Sequence, residues 1–120
     1  MSGFADELKA RTKQFGLRIV QLVQSLPEEP VSKTLGNQLL RCGTSVGANY
    51  RAACRARSPA EFRSKLGIVE EECDESVFWM EMLVDAELIP SSRLENLIQE
   101  ANEILAIIVT SINTSRRNKT

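Results

Sequence analysis

Apolar residues recur along this chain at the three- and four-residue spacing of amphipathic helices, and no stretch shows the period of two that is typical of β-strands. The spacing predicts four helices, over residues of about 5–26, 32–55, 59–85 and 93–113. Prolines at 27, 30 and 90 support the boundaries, because proline cannot continue a helix. Helices of this length with short connections predict an all-α fold, an antiparallel up-down-up-down four-helix bundle.

Two of the predicted helix starts carry the residues of a capping box, in which a serine and a later glutamate each satisfy a backbone N–H group. The first box is Ser58 to Glu61, with Pro59 in the first turn, and the second is Ser92 to Glu95. Residues 114–120 are polar and basic, and we expect them to form a short frayed tail on a single domain of 120 residues. Phe4 and Leu8 are expected to begin the inner face of the first helix.

A cluster of small residues interrupts the second helix. Gly43 and Gly47 each cost a helix roughly 1 kcal/mol relative to alanine, so we expect the close approach of a neighbouring backbone to compensate. Ser45 and Asn49 lie in the same cluster. We expect them to bond across to a neighbouring helix and set the register of the bundle, with a ligand-binding role as the alternative.

The residue types argue against catalysis. Histidine is absent, which removes the commonest general base, the Ser–His and Cys–His nucleophile pairs, and the Glu-x-x-His ligands of di-iron bundles. The consecutive acids between Glu70 and Glu75 point around a helix rather than converging, and Cys73 lies on the apolar stripe. We therefore predict that the protein is not an enzyme and has no catalytic residues, no metal site and no cofactor.

Cysteine usage and hydropathy bear on location. The three cysteines form no CxxC pair, which favours a reduced cytoplasmic protein over a disulfide framework. No apolar run approaches the roughly 18 residues that a membrane-spanning helix needs. The first residues also lack the layout of a signal peptide. We therefore expect no membrane association.

Charge is unevenly distributed although the net charge is only −1. Residues 1–67 carry eleven Lys and Arg against five acids, whereas residues 68–103 carry one arginine against eleven acids. One hypothesis is a nucleic-acid surface for RNA or DNA, formed by Lys33, Arg41, Arg51, Arg55, Arg57, Arg63 and Lys65. The alternative is that the basic and acidic halves neutralise each other between helices or subunits. Tyr50 is the one aromatic residue that this surface offers for base stacking.

Some apolar residues fall outside the predicted inner faces. Ile68, Trp79 and Met82 share a second facet of the third helix, and tryptophan is enriched at protein interfaces. This facet predicts a homo-oligomer, with incidental exposure of the three side chains as the alternative.

Three stretches resemble the 23S rRNA intervening-sequence protein family: Arg41 to Tyr50 (RCGTSVGANY), Arg57 to Phe62 (RSPAEF) and Glu71 to Leu83 (EECDESVFWMEML). The resemblance covers nearly the whole chain. It departs at Cys42, where serine is common, and after Asn49, where many relatives carry a glutamate.

The resemblance implies a compact four-helix bundle that commonly assembles as a ring-like homopentamer. The accessory protein of diversity-generating retroelements is similar in fold and works with a reverse transcriptase and nucleic acid. For most members no activity is established. The sequence thus favours a non-enzymatic oligomeric scaffold that binds nucleic acid or a nucleic-acid-processing protein, with a purely protein-binding module as the alternative.

Overall fold

The computed structural model describes residues 3–118 and contains four α-helices. They are Phe4–Gln24 (α1), Pro30–Ala53 (α2), Pro59–Asp85 (α3) and Glu95–Arg117 (α4), and a 3₁₀ turn at Ser91–Arg93 precedes α4. Consecutive helices pack side by side in an elongated bundle of 51 × 26 × 21 Å. The predicted all-α four-helix bundle is confirmed, and residues 3–118 contain no strand.

The start of α3 follows the predicted capping box. The hydroxyl of Ser58 accepts a hydrogen bond from the backbone N–H of Glu61 at 3.1 Å. The carboxylate of Glu61 accepts one in return from the backbone N–H of Arg57 at 2.8 Å. Both ends of α3 lie where the sequence predicts them. At its start, the Ser58 hydroxyl satisfies an N–H group that the first turn leaves unpaired, and Glu61 reaches back to the residue before the N-cap.

The second predicted capping box is wrong. Leu94 occupies the N-cap position of α4, and no side chain caps this helix. Leu94 is fully buried, and the 3₁₀ turn before it satisfies the local backbone, with the N–H of Arg93 bonded to the carbonyl of Pro90 at 3.1 Å. Burial of Leu94 therefore sets the start of α4 in place of a serine cap.

The frayed tail is also wrong for residues 114–117, which continue α4. Arg116 and Arg117 lie in its last turn, where positive charge interacts favourably with the helix dipole. Lys119 and Thr120, the last residues of the predicted tail, lie outside the described residues.

The core contains apolar side chains from all four helices, among them Phe15, Ile19, Leu39, Leu66, Met80, Ile104 and Ile108. Phe4 is an exception to the predicted inner face of α1, since it is 60% exposed. It stands at the first position of α1, beyond the end of the packed core, whereas Leu8 is buried. The exposed ring of Phe4 becomes relevant to the site described below.

The two predicted packing glycines lie where α2 meets α1. A Cβ atom at Gly43 would stand 2.8 Å from Cγ1 of Ile19, and one at Gly47 would stand 3.2 Å from the carbonyl carbon and oxygen of Thr12. Either contact is closer than side chains normally allow. Glycine at these positions therefore permits the close packing of the two helices.

Ser45 and Asn49 do not bond across to a neighbouring helix, contrary to expectation. The hydroxyl of Ser45 donates to the carbonyl of Arg41 at 2.7 Å, and the Asn49 amide donates to the carbonyl of Ser45 at 2.9 Å. Both bonds run back along α2 because short polar side chains in a helix reach the carbonyl four residues earlier. Register between α1 and α2 instead depends on the shape of the glycine contact.

Within residues 3–118, no helix combines the length and apolar character needed to cross a membrane.

We expect Gly47→Leu to lower the free energy of unfolding by about 1–3 kcal/mol or more, because the new side chain meets the backbone of α1 rather than a movable side chain. Gly67→Leu is the matched control, since a Cβ at Gly67 meets nothing within 4 Å. The control should be as stable as the wild type or more stable. Chemical denaturation followed by circular dichroism measures both, and a Gly47→Leu protein with native stability and native mass would refute the packing argument.

Candidate nucleic-acid interface

The structure separates the seven predicted basic residues into three groups. Arg51, Arg55, Arg57, Arg63 and Lys65 lie around the connection from α2 to α3, at one end of the bundle. Lys33 lies in the first turn of α2, about 27 Å from Arg51 along the helix axis at 1.5 Å per residue. Arg41 lies between them along α2, so the seven predicted residues are spread over most of the length of the bundle.

Arg41 is engaged by the acidic side of α3. Its Nη1 atom lies 3.2 Å from Oε2 of Glu72, and its Nη2 atom pairs with Glu75. The side chain of Glu72 is only 16% exposed, so the pair lies against the seam between the two helices. Desolvation alone would lower the pKa of Arg41, but the carboxylates of Glu75 and Glu72 together outweigh it and raise the pKa. This arginine neutralises acids of its own chain and is poorly placed to bind phosphate.

The end of α4 brings two further arginines, Arg116 and Arg117, to the same end of the bundle as Arg57. Arg63 connects α3 to this helix, donating from Nη1 to the hydroxyl of Ser115 at 3.1 Å. Among residues 3–118, the basic end has seven cations from α2, α3, α4 and the α2–α3 connection: Arg51, Arg55, Arg57, Arg63, Lys65, Arg116 and Arg117. Arg116 and Arg117 are not among the seven predicted residues, because the sequence predicts a frayed segment after residue 113.

Within the described part of the chain, three carboxylates lie at the same end as these seven cations. Asp6 lies 3.4 Å from the ammonium group of Lys9, and Glu61 is occupied by the backbone N–H of Arg57. Glu7 lies in the first turn of α1, where a negative charge is favoured by the helix dipole. The excess of positive charge therefore remains after these acids are counted.

A cleft of about 700 Å³ opens at the basic end. All four helices contribute to its walls, which include Phe4, Arg57, Phe62 and Asn118. Tyr50, the aromatic residue that the sequence offered for base stacking, is only 3% exposed and lies among the residues that line the cleft. Burial raises the pKa of its phenol. The accessible aromatic ring at this end is instead that of Phe4.

The second facet of α3 is exposed, but its composition differs from the prediction. Ile68 and Met82 are 39% and 37% exposed, and Phe78, which the sequence analysis passed over, is 50% exposed. Trp79 is half-buried against the core, and its Nε1–H donates to a carboxylate oxygen of Glu75 at 3.0 Å. Its ring meets that of Phe78 edge-on, with the ring centroids 5.0 Å apart. Phe78 replaces Trp79 as the exposed ring on this side of α3, and we call Ile68, Phe78 and Met82 the α3 facet.

The acidic and thiol groups are placed apart from one another or buried in the core. Among residues 3–118, no three side chains of the His, Cys, Asp or Glu type come together as metal ligands. Cys73 is buried, its thiol donates to the carbonyl of Ala101 at 3.1 Å, and burial raises its pKa to about 12. Cys42 is buried as well, and burial raises its pKa. Both cysteines are therefore packing residues.

Comparison with known proteins finds a matching family and similar solved structures. The family described as 23S rRNA-intervening sequence protein matches residues 7–110. A crystal structure of a protein of unknown function from the S23 ribosomal protein family of Bacteroides thetaiotaomicron VPI-5482 is 34% identical. It superimposes with a TM-score of 0.85 over 91% of this chain and 97% of its own. No protein of curated function matches the chain significantly.

We expect the native protein to show one fast-reacting thiol, that of Cys54, which is exposed in the wall of the cleft. Burial shields Cys42 and Cys73 and keeps both protonated, and only the thiolate reacts. Alkylation by iodoacetamide at pH 8, followed by intact-mass spectrometry, counts the modified sites. Cys54→Ser should abolish the fast phase, and two or three equally fast sites in folded protein would contradict the burial described here.

Proposed function

This chain belongs to the 23S rRNA-intervening sequence protein family, and on that basis we propose that it is a non-enzymatic, oligomeric scaffold whose basic end binds the backbone of nucleic acid. The observation that carries the proposal is the segregation of charge along the bundle. Seven cations from α2, α3, α4 and the α2–α3 connection gather at one end, while the acidic clusters of α3 are paired or lie farther along. The three free cysteines are compatible with a cytoplasmic location in this proposal.

Binding at the basic end would be directed to phosphate and sensitive to salt. Cations that contact phosphates displace condensed counterions, so affinity falls as salt rises. Arginine also suits this task because its planar guanidinium group can donate two parallel hydrogen bonds to one phosphate. Six of the seven cations at this end are arginines.

The α3 facet is the proposed surface for self-association. It presents Ile68, Phe78 and Met82 along about 14 residues of one helix, with the acid Glu71 between them. Exposed aromatic and methionine side chains at helical spacing are typical of interface cores. A ring-like pentamer, as the family resemblance implies, would repeat the basic end around its axis and multiply phosphate contacts.

A purely protein-binding module is the second candidate, and the pairing of Arg41 favours it. That arginine shows that the basic and acidic halves neutralise each other in part within one chain. Arg11 of α1 does the same with Glu100 and Glu103 of α4, each at 2.7 Å. In this alternative the remaining arginines of the basic end contact acidic groups of a partner protein, and nucleic acid does not bind.

Replacing Arg51 and Arg55 with glutamine should raise the dissociation constant for RNA several-fold and make binding less dependent on salt, because two phosphate contacts are lost. The control is Arg18→Gln with Lys33→Gln, which removes the same charge farther along the bundle. Fluorescence anisotropy between 50 and 200 mM salt measures both. Equal losses of RNA affinity in the two double variants would indicate a nonspecific effect of net charge. Unchanged affinity of the Arg51 and Arg55 double variant would exclude these residues from the site.

Phe78→Glu should reduce the assembly to a smaller species, because a carboxylate cannot be buried without a partner in an apolar interface. Val31→Glu is the control, since Val31 is similarly exposed at 52% but lies in the first turn of α2. Light scattering coupled to size-exclusion chromatography gives the masses, and circular dichroism checks that the helices persist. A native-mass Phe78→Glu protein would exclude the α3 facet from the interface.

A further inference from the structure

The cleft at the basic end combines an apolar floor with a polar rim. Its floor is apolar and comprises Tyr50, Ala53 and the half-buried ring of Phe62. Its rim is polar and includes Arg57 and Asn118. The ring of Phe4, 60% exposed, stands in the wall without being covered by the core. A ligand that fits both walls has a flat apolar part and an anionic part.

The size of the cleft suits one small group. Binding clefts for small ligands commonly measure about 300–1,000 Å³, and this one measures about 700 Å³. Duplex nucleic acid could contact the arginines around the rim but could not place a paired base against the wall, because its bases are stacked on one another. A single strand has unstacked bases that can turn toward an aromatic side chain.

The charges fix which part of the ligand faces the rim. Arg57 lines the cleft, and Arg63 reaches its edge through the hydrogen bond to Ser115, which is itself a lining residue. Glu61 does not offset them there, since its carboxylate accepts the backbone N–H of Arg57. The two guanidinium groups can bind the phosphate of a nucleotide, and the exposed ring beside them can stack on its base.

We propose that this cleft holds one unpaired nucleotide of a single strand, with the base against Phe4 and Phe62 and the phosphate at Arg57 and Arg63. The inference rests on the proposed binding of nucleic acid and adds to it a preference for single strands over duplexes. Phosphate contacts at the other arginines give affinity for single strands and duplexes alike. Stacking on the two rings adds affinity for single strands only. Base stacking on an aromatic side chain tolerates any sequence, so the preference is not sequence-specific.

The test measures the binding of a labelled single-stranded RNA and of a duplex of equal length to the full chain by fluorescence anisotropy. Phe4→Ala removes the exposed ring, and Phe62→Leu removes an aromatic ring while keeping an apolar side chain for the core. Val31→Ala is the control, because it trims another exposed apolar side chain, 52% exposed in the first turn of α2, outside both the cleft and the α3 facet. Thermal melting verifies that every variant is folded.

Each cleft variant is expected to raise the dissociation constant for the single strand about tenfold and to leave that for the duplex unchanged. The salt dependence should also stay the same, since no cation is removed. If both cleft variants bound the single strand as tightly as the wild type, or lost equal affinity for the single strand and the duplex, the cleft assignment would be overturned. Binding of the nucleic-acid backbone would remain in place. A wild-type protein that binds neither RNA would overturn the proposed function as well.

Cys54 gives a second readout that does not depend on affinity. It lies in the cleft wall and is exposed. Saturating single-stranded RNA should slow its alkylation by iodoacetamide, a neutral reagent, whereas the duplex should slow it less. Equal alkylation rates with and without saturating single strand would place the bound strand outside the cleft.

Discussion

The contact between α1 and α2 at Gly43 and Gly47 is the constraint on which the rest of the bundle depends. A Cβ atom at either position would meet α1 at 2.8–3.2 Å, so the two helices can come this close only because both positions lack side chains. Since α2 also packs along α3, its position determines where the α2–α3 connection and its arginines emerge. The small-residue cluster thus acts on the candidate site through packing rather than through contact with a ligand.

Charge is arranged differently along the sides and at the end of the bundle. On the sides, Arg11 and Arg41 each join two helices by pairing with two glutamates. Glu72 and Glu100 are only 16% and 19% exposed, and Arg11 donates two hydrogen bonds of 2.7 Å to the carboxylate of Glu100. These pairs therefore link neighbouring helices and also neutralise the lateral surface. At the basic end the carboxylates are fewer than the cations and are occupied locally, which leaves the arginines available to an anionic partner.

The two surfaces used in the proposed function lie on different parts of α3. The basic end surrounds its first turns, whereas the α3 facet runs from Ile68 to Met82 along its outer side. Self-association through the α3 facet would therefore leave the cleft at the end of each bundle open. In the proposed assembly, multiple identical basic ends would contact one strand, which raises overall affinity without any new type of contact.

The sequence by itself determined the four helices, the capping box of α3 and the packing role of the two glycines, because apolar spacing, serine caps and steric cost are local properties. It did not determine the start of α4, where burial of Leu94 replaced a serine cap. Nor did it identify the cleft, since Phe4, Arg57 and Asn118 are far apart along the chain and meet only at the end of the bundle. Only tertiary packing decided that Arg41 is paired, that Tyr50 is buried and that Phe4 is exposed, because each outcome depends on the helix that lies opposite.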